Sequence, residues 1–155
     1  AASDVYKRQI NPAPHLLCTI MGLDQYGYIK FPDDLETEDG DVNRIYLMTW
    51  RKHPNLQGWM ERLWRCRNNT IDQFEADTFM DCAFNCVELQ LQLEDIDKLE
   101  NDVETNNLTE AHKDTTGFFF GEKRDEEYKF DDLKFCRNAR AAIKNGLTVC
   151  YNSWW

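Results

Sequence analysis

Apolar and polar residues alternate along the first part of the chain in a way that predicts a β-hairpin. Residues 22–31 alternate loosely between apolar and polar side chains, and residues 44–50 are rich in β-branched and aromatic ones. The acidic residues 32–41 lie between them and contain a proline and a glycine, which favour a turn. A strand, a turn and a second strand in this order predict two antiparallel neighbours.

Three later segments carry apolar residues at the three- and four-residue steps of a helix. The first begins at Pro54, and its apolar positions are Leu56, Trp59, Met60, Leu63 and Trp64. The second covers residues 93–103. The third runs from about residue 130 to residue 145, and Gly146 is its expected left-handed stop.

The remaining segments complete a prediction of the fold class. The further strands are predicted at residues 84–91, 117–120 and 147–153, and loops or turns at residues 68–82, 105–113 and 121–127. The pattern predicts an α+β fold with a small, mostly antiparallel sheet of about four to five strands, packed by about three helices.

The length of 155 residues fits one domain. Residues 1–20 are expected to be an extraneous or disordered segment, because residues 1–9 look like translated adapter or read-through sequence. The apolar run in residues 16–20 is too short for a signal peptide. Met21 is the expected native start, and residues 21–155 are predicted to form a single α+β domain.

The net charge of −10 disfavours direct contact with nucleic acid or with an anionic membrane. No stretch approaches the roughly 20 apolar residues of a membrane-spanning helix. The six cysteines are interpreted as mostly buried free thiols of a reducing cytoplasm. Cys82 and Cys86 do not have the spacing of a zinc site, and no histidine or second pair completes one, so neither a metal nor a cofactor is expected.

Arg51, Lys52 and His53 form a basic cluster immediately before Pro54 in this acidic chain. A helix that begins at Pro54 would place them beside unpaired amide groups, which attract anions. Arg51 could bind a phosphate or carboxylate through two parallel hydrogen bonds, and Asp24 could orient Arg51 or Lys52 from beneath. The alternative is that these cations only form surface ion pairs with the many carboxylates of the chain.

Two other segments could complete such a site. Thr116 and Gly117 could form a backbone nest for an anion, although a tight turn into the phenylalanine strand is the favoured explanation. The chain ends in Trp154 and Trp155. We expect this end to dock on the domain, with one indole buried and the other lining a cleft or interface. Trp155 is included among the candidate ligand-binding residues.

Four motifs of the chain resemble those of one protein family. They are Met21–Tyr26 (MGLDQY), Trp50–Lys52 (WRK), Thr116–Gly121 (TGFFFG) and Tyr151–Trp155 (YNSWW). In this order they are similar to a small-protein family of tailed bacteriophages, including cyanophages. The resemblance spans residues 21–155 and implies a phage accessory protein in the cytoplasm of an infected bacterium. It brings no established activity.

Three functions follow as hypotheses. The first is a non-catalytic binding module for a host protein or a small anionic ligand, which would use the basic cluster and the turn at Thr116. The second is a small enzyme that acts on a phosphorylated or carboxylated metabolite with His53 as acid or base. No catalytic residue is assigned, because a partnership of His53 with Cys86 or Cys150 is geometrically unconstrained. The third is a DNA mimic built on the acidic face of helix 93–103, which an ordinary solvated helix explains as well.

Overall fold

The computed structural model describes residues 22–32, 44–68, 83–108 and 125–155. The strands in these ranges are β1 (Asp24–Lys30), β2 (Arg44–Arg51), β3 (Leu89–Leu91) and β4 (Thr148–Trp154), and the helices are α1 (Pro54–Arg67), α2 (Leu93–Glu104) and α3 (Asp125–Lys144). The predicted α+β class is therefore confirmed.

The sheet has the strand order β2-β1-β4-β3, and each neighbouring pair is antiparallel. The predicted hairpin is the pair β1–β2, in which Asp24 lies opposite Arg51. The last strand, β4, lies between β1 and β3 and places Trp154 on the other side of Asp24. A β-bulge between Gly27 and Tyr28 interrupts the register of β1 with β2 only.

One face of the sheet packs against the helices. Gln25, Gly27 and Ile29 of β1 are buried on that face. Gly27 lies so close to α3 that a Cβ atom there would stand 2.3 Å from Cε2 of Phe135. The Phe135 ring also meets Trp50 of β2, with a centroid distance of 5.1 Å. The residue at position 27 must therefore lack a side chain.

The opposite face is called the outer sheet face below. Strand alternation assigns to it Asp24, Tyr26, Tyr28 and Lys30 of β1, Arg44, Tyr46, Thr49 and Arg51 of β2, Gln90 of β3, and Thr148, Cys150, Asn152 and Trp154 of β4.

Residues of all three helices form the core on the helix side. The buried members are Leu56, Trp59 and Met60 of α1, Ile96, Leu99 and Val103 of α2, and Phe135, Cys136, Ala139 and Ala142 of α3. Gly146 has φ 79°, so the predicted left-handed stop after α3 is confirmed.

Two boundaries differ from the prediction by more than two residues. Helix α3 begins at Asp125, about five residues early, because residues 125–127 form its acidic first turn, where the helix dipole favours negative charge. Strand β3 is Leu89–Leu91 instead of residues 84–91. Residues 83–86 form a turn in which Cys86 has φ 59°, a left-handed conformation incompatible with a strand, and its backbone N–H donates to the carbonyl oxygen of Ser153.

Several predictions fall outside the described residues. They concern residues 1–20, most of the acidic turn at residues 32–41, most of the loop at residues 68–82, and the strand at residues 117–120 with Thr116 and Gly117. Within the described ranges, no helix has the length and apolar character needed to cross a membrane.

Candidate functional site

The three residues of the basic cluster do not face the same way. Arg51 is the last residue of β2 and lies on the outer sheet face, with 74% of its side chain exposed. Lys52 follows with φ 57°, a left-handed conformation that turns the chain sharply, and its N–H donates to the carbonyl oxygen of Leu23 at 2.8 Å. His53 then lies on the helix side of the sheet and is fully buried. The turn at Lys52 thus separates Arg51 from His53.

His53 belongs to a buried polar network. Its Nε2 lies 2.9 Å from Oδ2 of Asp132 on α3, and the other carboxyl oxygen accepts a 2.8 Å hydrogen bond from Nε1 of Trp50. The imidazole is stacked on the ring of Tyr128, with 4.2 Å between centroids. Both His53 and Asp132 are almost completely buried, so the ring has no surface from which to exchange a proton with a substrate.

Gln25 extends this network to the backbone of the turn. Its Oε1 accepts a hydrogen bond from the N–H of His53, while its Nε2 donates to the carbonyl oxygen of His53 and to the hydroxyl of Tyr151. That hydroxyl in turn donates to Oε1 of Gln57 at 2.6 Å. Burial raises the pKa of Tyr151 far above its usual range, so the hydroxyl keeps its proton as donor. The network fixes the path from β2 into α1.

Two carboxylates of the protein contact side chains at the beginning of α1. Pro54 and Asn55 are buried, and Nδ2 of Asn55 donates to Oδ1 and Oδ2 of Asp125 at 2.9 and 2.7 Å. Asp132 lies against His53, the N-cap residue of the same helix. Two internal carboxylates thus lie near the start of this helix, where the helix dipole favours negative charge, and the anion site stays a prediction.

Asp24 lies where the sequence placed it, beside Arg51. The distance from Nε of Arg51 to Oδ1 of Asp24 is 3.7 Å. Partial burial raises the pKa of Asp24, and the charges of Arg51 and Lys52 offset only part of that rise. On the other side of Asp24, the indole Nε1 of Trp154 donates to the hydroxyl of Tyr26 at 3.3 Å. Arg51, Asp24 and Trp154 thus form one row across three strands.

The two terminal tryptophans have different environments. Trp155 is buried, its N–H donates to Oδ1 of Asn85, and its carbonyl oxygen accepts from Nδ2 of the same residue. Trp154 is only half-buried and lies on the outer sheet face. The residue beside Arg51 and Asp24 is therefore Trp154, while the proposed ligand residue Trp155 anchors the chain end in the core.

The outer sheet face continues from this row as a cluster of aromatic rings. Tyr46 lies 5.7 Å from Tyr26 and 6.0 Å from Tyr28 between ring centroids, and 52% of Tyr46 is exposed. The guanidinium of Arg44 lies 4.5 Å from the centroid of Tyr28. Sequence reasoning missed this cluster. The alternation of tyrosines along β1 was visible, but their juxtaposition with β2 depends on the register and on the bulge.

Glu88 lies at the end of the outer sheet face that is farthest from Arg51. It accepts hydrogen bonds from the Tyr28 hydroxyl at 2.6 Å, from Lys30 at 2.7 Å and from Arg44 at 3.3 Å. Partial burial raises the pKa of Glu88. The hydrogen bonds from Lys30 and Tyr28 and the charges of Lys30 and Arg44 together lower it by more, so the net shift is downward. Burial and the bond to Glu88 raise the pKa of Tyr28 well above its usual range.

An open groove of about 440 Å³ adjoins Glu88. It is lined by Lys30, Phe31, Pro32, Glu88, Gln90, Thr148 and Cys150. Burial raises the pKa of the Cys150 thiol to about 11, so this group is a poor nucleophile at neutral pH. Cys150 also lies on the outer sheet face and His53 on the helix side, which separates this cysteine–histidine pair by the sheet.

The acidic face of α2 is largely engaged within the protein. Asp95 caps the N-terminus of α2, Asp97 and Glu100 bind Arg140, and Asp102 accepts a hydrogen bond from the indole of Trp59. These contacts give the charges a structural role.

Among residues 22–32, 44–68, 83–108 and 125–155, no group of three or more histidine, cysteine, aspartate or glutamate side chains could hold a metal ion. No protein-family model, curated protein or solved structure matches this chain.

Proposed function

We propose that this chain is a non-catalytic binding module, a phage accessory protein that binds a host protein in the cytoplasm of an infected bacterium. The outer sheet face is the binding surface. The observation that supports this proposal is the row of Arg51, Asp24 and Trp154, which continues into the half-exposed Tyr46 on the face opposite the one where Gly27 packs against Phe135.

The composition of this face favours a protein partner over a small anion. Tyrosine, tryptophan and arginine are the residues enriched in the cores of protein interfaces. A small anion binds in a concave site that buries most of it. Arg51 instead projects from an open face, with 74% of its side chain exposed and Asp24 as its near neighbour.

The chemistry of the buried groups supports a function without catalysis. His53 was the candidate acid or base, and its ring is enclosed by Asp132 and Tyr128. Cys150 keeps its thiol proton at neutral pH, because burial raises its pKa to about 11.

Capture of partners from a host lysate tests the proposed surface. Tyr46→Ala removes an exposed ring from the outer sheet face, and Phe130→Ala removes a ring that is 73% exposed on α3, in the helix layer. We expect Tyr46→Ala to weaken binding of the captured partner by about tenfold or more, the effect of an interface anchor, and Phe130→Ala to leave it unchanged.

Both variants are first compared with the parent protein by thermal unfolding. Loss of the partner with Phe130→Ala and its retention with Tyr46→Ala would refute the outer sheet face as the binding surface. Turnover of a phosphorylated or carboxylated metabolite by the purified protein would refute the non-catalytic assignment.

A further inference from the structure

The edge of β2 points to the way in which a partner binds, an inference that rests on the proposed function. We propose that the partner contributes an extended acidic segment, which pairs with the side of β2 that no other described strand occupies and adds a strand to the sheet. Support comes from the exposure of β2, from the lack of charged residues and prolines between its two ends, and from the charges at those ends.

Strand β2 is an edge strand among the four described strands, and it pairs only with β1. Ile45 is 53% exposed and Tyr46 is 52% exposed. Consecutive residues of a strand point to opposite faces of the sheet. Since both are exposed, the edge is uncovered on both faces at this point, as strand addition requires.

Natural edge strands usually carry a charge or a proline within the strand, which prevents pairing with another chain. In β2 the residues between Arg44 and Arg51 are all uncharged, and none is proline. The bulge opposite Gly27 is the irregularity in this strand. The eight residues of β2 also exceed the usual strand length of about 5–6 residues, so the edge can support several backbone hydrogen bonds.

The ends of β2 carry positive charge that the chain only partly compensates. Arg44 shares the carboxylate of Glu88 with Lys30. Arg51 lies 3.7 Å from Asp24 and remains 74% exposed, which leaves room for a second carboxylate. A segment with an acidic side chain near each end therefore complements this edge.

A second copy of the chain is a poorer occupant. Antiparallel pairing of β2 with itself along its whole length would place Arg44 opposite Arg51 of the other copy, and like charges directly opposite each other are destabilising.

The test uses a fluorescent peptide of alternating valine and threonine with a glutamate near each end. The controls are the same peptide with lysines in place of the glutamates, and a glutamate peptide N-methylated on alternate amides along its pairing edge. We expect the glutamate peptide to bind and to protect the amides of β2 from hydrogen exchange. N-methylation should weaken binding by about tenfold or more, because it removes the backbone hydrogen bonds and keeps the charges.

A charge reversal tests the polarity of the site. The variant Arg44→Glu/Arg51→Glu should prefer the lysine peptide, whereas Lys134→Glu/Arg137→Glu, the same change of charge on α3, should keep the original preference. Equal binding of the N-methylated peptide, absence of binding by the glutamate peptide, or protection elsewhere than β2 would overturn strand addition. A dimer that protects β2 without peptide would identify a second copy as the occupant and overturn the acidic segment.

These results are distinguishable from failure of the proposed function. If Tyr46→Ala abolishes partner capture while the N-methylated peptide binds normally, the outer sheet face is the binding surface and strand addition is wrong. If Tyr46→Ala leaves capture unchanged, the proposed surface itself is wrong.

Discussion

Two carboxylates, Asp132 and Glu88, hold side chains in place on opposite sides of the sheet. Asp132 is buried on the helix side, where it holds Trp50 and His53. Glu88 is partly exposed beside the outer sheet face, where it gathers Tyr28, Lys30 and Arg44. Because Asp132 is buried, loss of one of its hydrogen bonds would leave a buried polar group unpaired, which destabilises the fold. Because Glu88 is partly exposed to solvent, its contribution to stability is smaller and depends on pH.

The substitution Asp132→Asn should destabilise the fold by about 1–3 kcal/mol, because an amide can accept only one of the two buried hydrogen bonds that the carboxylate accepts. The neighbouring change Asp131→Asn should stay within about 0.5 kcal/mol of the parent protein. Urea denaturation followed by tryptophan fluorescence measures both. Equal effects of the two substitutions would contradict a structural role for the Asp132 network.

The substitution Glu88→Gln should lower stability at neutral pH and have little effect in acid. The folded state lowers the pKa of Glu88, so its charge stabilises the fold above the usual glutamate range. That contribution is lost as the pH falls through the lowered pKa. Thermal unfolding of both proteins from neutral to acidic pH should give melting temperatures that converge at low pH. A difference in melting temperature that persists in acid would exclude the charge of Glu88 as the cause.

At the scale of elements, the packing of α3 on β1 depends on one position without a side chain. The Phe135 ring occupies the space above Gly27 and also contacts Trp50. Phe135 is completely buried, so it cannot swing into solvent to admit a larger neighbour.

The substitution Gly27→Ala should therefore destabilise the protein by about 1–3 kcal/mol through overpacking. A smaller residue at position 135 should relieve the clash with the added Cβ atom. Phe135→Leu should therefore lower the free energy of unfolding by less in the Gly27→Ala background than in the parent protein. Chemical denaturation of the four proteins of this cycle gives the coupling free energy. A coupling near zero would show that the ring is not what excludes the Cβ atom.

At the scale of the whole molecule, the last strand completes the sheet. Strand β4 pairs with β1 along its full length and also with β3. The first and the last described strands are therefore neighbours in the middle of the sheet. Folding must then bring distant segments together before the core is closed.

A chain that stops after Gly146 should fail to form the sheet, because β1 and β3 lose their common neighbour. Removal of Trp155 alone deletes one buried indole and its two hydrogen bonds to Asn85, and leaves β4 in place. We expect the shorter deletion to unfold cooperatively at a lower temperature, as measured by circular dichroism. A cooperative transition of the chain that lacks β4 would contradict its central role.

The candidate site could be predicted only in part. The sequence correctly indicated that Asp24 lies beside Arg51, because the two lie at facing ends of the hairpin strands. It grouped His53 with Arg51, although the left-handed turn at Lys52 sends them to opposite sides of the sheet. The sequence did contain a sign that Asp132 is buried. It lies on the same helical stripe as Cys136 and Ala139, and an acid on a buried stripe needs a partner within the protein.

Local patterns by themselves determined the hairpin, the helix that begins at Pro54, the stripe of α2, the stop at Gly146 and the α+β class. These features depend on periodicity and on backbone preferences over a few residues, which a single segment contains. Only the tertiary structure decided which side of the sheet each candidate residue occupies. That choice depends on strand register, on one bulge and on contacts between residues far apart in the chain, such as His53 with Asp132 and Trp154 with Tyr26.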